Sequence, residues 1–225
     1  MIQLVEISKS FGSHVVLDRL SFTFEDNKVY GIVGKNGSGK TTLFRCLTSL
    51  ESYKGEIVSE HQPLKNYIGY LPTELFFYKL MTGMEYVRFV CNARNQKTEN
   101  IAAKNIFELP LNNYVSTYST GMKKKLALFA ILLQDVPYYI FDEPFNGIDF
   151  QSSVLVFDLI KALKQRGKTV IMSSHIYTTL TQTCDEICLL EDGCFKQQVL
   201  KADFDALEES MHREIVGNAT DLLDW

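Results

Sequence analysis

The chain has 225 residues, of which 46% are hydrophobic and 22% charged, and its formal net charge is −4. A chain of this size and balance suits one globular domain, or one domain with a subdomain. The acidic balance excludes a global attraction to nucleic acid or to an anionic membrane surface, so no nucleic acid partner is expected.

In residues 1–16, Glu6 and Lys9 lie inside the apolar alternation. The start therefore lacks the basic flank and unbroken apolar core of a secretory signal, and the chain is expected in the cytoplasm. Apolar and polar residues interleave over 2–7 and again over 15–26, with Gly12-Ser13 between them, which predicts an antiparallel hairpin. Then the period changes. Residues 29–34, VYGIVG, form a short apolar run bounded by glycine, and 40–50 carry helical spacing, so strand, loop and helix follow one another.

Residues 67–72, 138–144 and 169–175 are further short, nearly continuous apolar runs, as expected of strands buried on both faces of a parallel sheet. Between Pro72 and Tyr118 no such run occurs, and 84–94 and 99–109 show helical spacing, which predicts a helical insert. Helices are also expected over 126–134 and over 154–165, the second stopping at Gly167. Residues 186–200 read as a hairpin turning at Asp192-Gly193, and 203–213 as a short acidic amphipathic helix. The sum is a layered α/β fold. Its longest strongly apolar run, 126–133, falls far short of the roughly twenty residues of a bilayer span, so any membrane role requires a separate partner. Cys46, Cys91, Cys184, Cys188 and Cys194 are odd in number and form no CxxC pair, so reduced thiols are expected in place of disulfides or a zinc site.

Two strings carry chemistry. GKNGSGKT, 34–41, fits GxxxxGK[ST], follows a predicted strand and opens a predicted helix. Glycine lets the N–H groups around Asn36, Gly37, Ser38 and Gly39 curl about phosphate oxygens, and the helix start adds partial positive charge. Lys40 is expected to reach the β and γ phosphates of a nucleotide, and the Thr41 hydroxyl to ligate Mg²⁺. The second string, YYIFDE, ends a buried strand in Asp142 and Glu143. Asp142 suits the metal shell, and Glu143 suits a general base for an attacking water.

A third string, YSTGMKKK over 118–125, is open at this level to three readings: a capped helix start with a solvated basic turn, a small basic patch for nucleic acid, or a reader of ligand phosphate.

In their order, these strings resemble the ATP-binding cassette (ABC) ATPase family, specifically the nucleotide-binding subunits of ABC transporters, over nearly the whole chain. The resemblance implies a P-loop NTPase (RecA-like) parallel-sheet core, with an N-terminal antiparallel β subdomain and a small helical subdomain. The cassette is expected over 1–200 with the helical subdomain inserted at about 74–118, and 201–225 as a short C-terminal helical extension. Residues 34–42, including Thr42, match the Walker A loop, and 138–143 the Walker B strand. The signature matches 118–122, the D-loop 146–149, and the switch histidine His175.

By the same resemblance Phe11 stacks on adenine with Val16 beside it, His175 helps position the attacking water, and Asp149 sits at a dimer interface. Ser119 and the Gly121 backbone would read the γ-phosphate held by another subunit, which leaves the three lysines after them as a mostly solvated face. Thr73 stands where the family usually has a metal-contacting Gln, and Glu74 beside it is a candidate substitute. The implied function is an ATP-hydrolysing subunit of an exporter-type transporter. It would use ATP and Mg²⁺, form a homodimer around two ATP, and work at the inner face of the membrane through a separately encoded permease. The alternative is a soluble ABC-type ATPase, or a weakly hydrolysing regulatory module outside transport.

Overall fold

The computed structural model of the chain describes residues 1–206, which build two sheets. The hairpin predicted at the start forms as β1 (Ile2–Phe11) and β2 (His14–Phe24), paired antiparallel around Gly12-Ser13. A third strand, β4 (Lys54–Ser59), joins them in the order β2-β1-β4. It is absent from the sequence reading because this edge strand contributes only Ile57 and Val58 as large apolar residues, too few to show a period.

The second sheet runs β5 (Ile68–Leu71), β6 (Tyr138–Asp142), β7 (Thr169–Ser173), β3 (Val29–Val33), β8 (Glu186–Glu191), β9 (Cys194–Leu200). All neighbours are parallel except β8 and β9, which form the hairpin expected at Asp192-Gly193. Every residue of β3, β6 and β7 is buried, because each face of the sheet has its own core. Val29, Tyr139, Phe141, Val170 and Met172 face one core with the helical insert. Tyr30, Ile32, Tyr138, Ile140 and Ile171 face the other, beneath the antiparallel sheet. Two apolar faces turn a period of two into a continuous apolar run, which is how these strands read.

Helix α1 (Lys40–Leu47) follows the glycine loop and buries Leu43, Phe44, Cys46 and Leu47 against the second core. At about 1.5–3 kcal/mol for each large apolar side chain fully buried, this face holds the helix start in place beside the loop. Helix α2 (Gly83–Asn92) opens with a capping box between Thr82 and Glu85. Helix α3 (Thr120–Leu132) begins six residues before the expected apolar stretch, because Ser119 caps it by accepting the N–H of Met122 at 3.2 Å. Helix α4 (Phe150–Gln165) is capped by Asp149. A short helix, α5 (Tyr177–Thr183), follows β7; only Leu180 of its seven residues is a large apolar group in the core, so no period announced it.

The helix expected over 99–109 does not form; that stretch holds one 3₁₀ turn, Ala102–Lys104. Asn105 accepts from the N–H of Leu109 and donates to its carbonyl, at 3.2 and 2.8 Å, a local alternative to helical pairing. Ile101, Phe107 and Leu109 still enter the core from this irregular path. Four of the five cysteines are buried and all are free thiols. The acidic helix expected over 203–213 lies largely outside the described residues.

Candidate functional site

In a parallel sheet all carboxyl ends of the strands meet at one edge. The loop after β3, the Pro72-Thr73 turn after β5, Asp142-Glu143 ending β6 and Ser174-His175 after β7 therefore share that edge. A cavity of about 450 Å³ lies there, lined by Asn36 and Gly37 of the loop, by Lys40, Thr41 and Thr42 of α1, and by Thr73, Asp142, Glu143, Asn146 and His175. The hairpin sheet adds His14 and Val16 to the same wall. A second cavity of about 450 Å³ shares His14, Val16, Asn36 and Gly37 and continues past Ser38 to Glu191 and Asp192.

The loop is shaped by its glycines. Gly37 and Gly39 hold φ of 83° and 105°, a left-handed backbone that L side chains rarely adopt. The ammonium of Lys40 is folded back onto the loop, donating to the carbonyls of Gly34 at 2.6 Å and Lys35 at 3.1 Å. Burial lowers its pKa, and the carboxylates of Glu143 and Asp142 oppose that shift. The buried hydroxyl oxygen of Ser38 has no protein hydrogen-bond partner, which leaves the loop with an unused polar group.

Asp142 is 1% exposed, and both of its oxygens are engaged. Thr41 Oγ1 donates to Oδ2 at 2.7 Å, and Ser173 Oγ donates to Oδ1 at 2.7 Å. A hydroxyl and a carboxylate meeting beside the glycine loop are the hard oxygen donors that Mg²⁺ takes, so the residues present fit that ion. Thr73 lines the cavity with a short hydroxyl, whereas Glu74 is not among its lining residues.

Glu143 follows with φ of 55°, a strained backbone for a residue with a side chain. Its N–H donates to Ser173 Oγ at 3.0 Å. Its carboxylate has one hydrogen bond from His175, whose backbone N–H donates to Oε2 at 3.3 Å; the ring Nε2 lies 3.1 Å from the buried Oε1, an oxygen with no hydrogen-bond partner in the protein. Burial raises the pKa of Glu143 and the imidazole of His175 counters it.

The structure thus brings together Val16, the loop and α1 residues, Thr73, Asp142, Glu143 and His175. It does not bring Phe11, Ser119 or Gly121 to the same cavity. Phe11 is 49% exposed, with the ammonium of Lys9 over its ring at 4.8 Å. The aromatic ring that lines both cavities is instead His14, the strand partner of Phe11. The string itself does not single out His14, because the hairpin register places it there. Ser119 and Gly121 sit at the start of α3, where Gly121 packs against the backbone of Gly147 in the segment after β6.

Two lysines of the third string are not part of the solvated face expected of them. Lys124 is only 6% exposed and donates to the carbonyls of Glu143 and Asn146, and Lys125 donates to Asp149 at 3.3 Å and Ser152 at 3.1 Å. The helix starts six residues earlier than its apolar stretch, and that start turns these two lysines toward the protein.

Residues 17–146 match the sequence model of a family described as ABC transporter. An uncharacterised ABC transporter ATP-binding protein of Methanocaldococcus jannaschii is 31% identical over 85% of this chain and 74% of its own length. The SkfA peptide export ATP-binding protein SkfE of Bacillus subtilis is 26% identical over 93% of each chain. A structure described as the dimeric post-hydrolysis state of an ATP-binding cassette bound to ADP and Pi superposes with a TM-score of 0.81 at 20% identity, covering 89% of this chain and 99% of that one. At that identity the superposition shows the fold, and it agrees with the P-loop NTPase class expected from the sequence.

Proposed function

The chain belongs to the ABC transporter family as an ATP-binding subunit with ATPase activity, and on that premise we propose that it acts as a dimer around two ATP and drives a separately encoded permease in export. The observation that carries the hydrolytic part is the cluster at the sheet edge, where the Thr41–Asp142 pair and the His175–Glu143 pair face one cavity beside the glycine loop.

The geometry supports a role for each residue in this reading. The N–H groups of the loop and the Lys40 ammonium take the phosphates, and the base extends toward the hairpin end, where Val16, His14 and Phe11 stand. Thr41 and Asp142 would hold Mg²⁺, which when bound would supply charge neutralisation to the phosphate groups. Glu143 takes the proton of the attacking water at its carboxylate, and His175 keeps that carboxylate aimed. Thr73 contributes a short hydroxyl where a longer amide would reach further.

The dimer is supported by the place of Ser119 and Gly121, which stand outside their own chain's cavity and so are available to another copy's phosphates. Permease docking is supported by the exposed apolar groups after Thr73: Phe76, Tyr78 and Leu80 are 75%, 58% and 83% exposed, and Phe89 on α2 is 57% exposed. Among the described residues no helix is long and apolar enough to cross a membrane. Export is supported by the relative named for peptide export. The cassette is proposed to span 1–200 with its helical part at about 74–118 and an extension over 201–225, attached on the cytoplasmic face through the permease.

The test is Mg²⁺-dependent phosphate release by the wild type beside Glu143→Gln, with size-exclusion chromatography in ATP. Turnover in the wild type, and an ATP-stabilised dimer with turnover lost in the variant, are expected. ATP binding without turnover in the wild type would sink the enzyme reading and leave a regulatory module.

A further inference from the structure

Of the basic run after the signature, Lys124 is the lysine that solvent hardly reaches, at 6% exposure. Its Nζ donates to the backbone carbonyl of Glu143 and, at 3.0 Å, to that of Asn146. An ammonium taken out of water costs several kcal/mol unless it is hydrogen-bonded, and an apolar side chain would serve helix packing better at this position. The peptide groups it meets are not ordinary ones. Glu143 holds φ of 55°, a conformation that persists in a residue with a side chain only where its surroundings hold it. Ser173 Oγ accepts its N–H at 3.0 Å, and Lys124 binds its carbonyl. The first grip comes from β7 and the second from α3, the helix that opens at Ser119.

A second contact ties the same two segments. A side chain at Gly121 would place its Cβ 2.9 Å from the carbonyl oxygen of Gly147, so the start of α3 lies directly on the backbone after Glu143. Burial lowers the pKa of Lys124 while the Glu143 and Asp142 carboxylates raise it, consistent with an ammonium held among acceptors.

We propose that Lys124 is a positioning residue for hydrolysis: through the carbonyls of Glu143 and Asn146 it fixes the catalytic carboxylate to α3, so that a phosphate read at Ser119 and Gly121 is felt at Glu143 of the same chain. The proposal rests on the hydrolytic, dimeric reading above. In a two-copy arrangement, ATP captured by the α3 start of one chain steadies the Glu143 that serves that chain's own ATP, which couples the two sites mechanically.

The experiment uses the full chain and compares Lys124→Met, Lys124→Gln and the control Lys123→Met, each in the wild-type and Glu143→Gln backgrounds. Steady-state and single-turnover phosphate release are measured, with nucleotide affinity by titration of a fluorescent ATP analogue. Lys124→Met is expected to lower kcat by about 10- to 100-fold, the range of a misaligned general base, with KM and nucleotide affinity within about twofold. In the Glu143→Gln background, where steady-state turnover is lost, the residual single-turnover phosphate release is the rate compared, and it is expected to fall no further, because both changes act through one carboxylate. Lys123→Met should match the wild type. An unchanged kcat, a loss confined to KM, or the same fold-loss in both backgrounds overturns the proposal. Should circular dichroism show Lys124→Met unfolded, the same comparison is read on Lys124→Gln, which keeps an N–H donor; there a smaller kcat loss absent from the Glu143→Gln background supports the proposal. An inactive wild type overturns the hydrolytic reading and this proposal with it, whereas an active wild type with an unaltered Lys124→Met overturns this proposal alone.

Discussion

The Nε2 of His175 lies 3.1 Å from Oε1 of Glu143, and the backbone N–H of His175 donates to the other carboxylate oxygen at 3.3 Å. His175 and Glu143 therefore form one unit, with the imidazole able to orient the carboxylate and the backbone able to retain it. The ring contact and the backbone bond also differ in what a substitution removes.

His175→Ala keeps the backbone bond and loses the ring, so the carboxylate stays near but is no longer aimed. The expected result is a kcat lower by about 100-fold, within the range for general-base catalysis, with KM changed by less than about threefold. Phosphate-release kinetics over a range of ATP concentrations check it; a rise in KM with kcat intact would assign His175 to nucleotide binding instead.

Ser173 is fully buried and bridges two chemical groups, donating to Asp142 at 2.7 Å and accepting from the N–H of Glu143 at 3.0 Å. Ser173→Ala leaves a buried carboxylate oxygen and a buried amide with one partner fewer. A loss of about 2–3 kcal/mol is expected, since hydrogen bonds to charged groups lie near that figure. Urea unfolding of the two proteins measures it, and a shift below about 0.5 kcal/mol would mean that water replaces the hydroxyl without cost.

His14 lines both cavities, and Phe11 lines neither. Stacking of a base on a side-chain ring is worth about 1–3 kcal/mol, so His14→Ala is expected to weaken ATP binding by roughly tenfold and Phe11→Ala by less than about twofold. Calorimetric titration with ATP separates the two; the reverse order would place the base on the outer side of the hairpin.

Asp149 caps α4 by accepting the N–H and hydroxyl of Ser152, and the Lys125 ammonium lies beside it. These bonds favour the ionised form and hold its carboxyl below the usual carboxylate range, with the Ser152 amide as the largest cause. A depressed folded-state pKa means that its stabilising contribution is complete above the unfolded value of about 3.9 and disappears as pH falls toward the folded value. Asp149→Ala is therefore expected to melt at lower temperature than the wild type at pH 7, with the gap closing below about pH 4. Thermal melts at several pH values test this, and a gap that persists unchanged in acid would show that the carboxylate charge plays no part.

The parallel strands were legible because both their faces are covered, so each reads as an unbroken apolar run, as in residues 138–141. The edge strand β4 and the short helix α5 were not, since each has too few apolar residues to set a period. The stretch 99–109 misled because its apolar residues are buried without helical backbone, with Asn105 bonding Leu109 in place of the helical ladder. Among the site residues, those inside short strings were legible: the glycine loop, Lys40, Thr41, Asp142 and Glu143. His14, Ser173 and Lys124, whose places depend on register and packing, were not.

The sequence by itself determined the class of chemistry. A glycine-rich loop between a buried strand and a helix suits little else than phosphate, and a strand ending in two carboxylates suits the metal and water functions proposed beside it. Only the tertiary structure decided how those groups are held. Ser173 serves Asp142 and Glu143 because β7 pairs with β6, and Asp142 lies opposite Ser173 in that register. Lys124 serves Glu143 because α3 starts at Ser119 and turns its second basic residue inward. Strand order and helix phase are set by packing over the whole sheet, so a lysine that reads locally as a solvated charge becomes a buried contact on the Glu143 backbone.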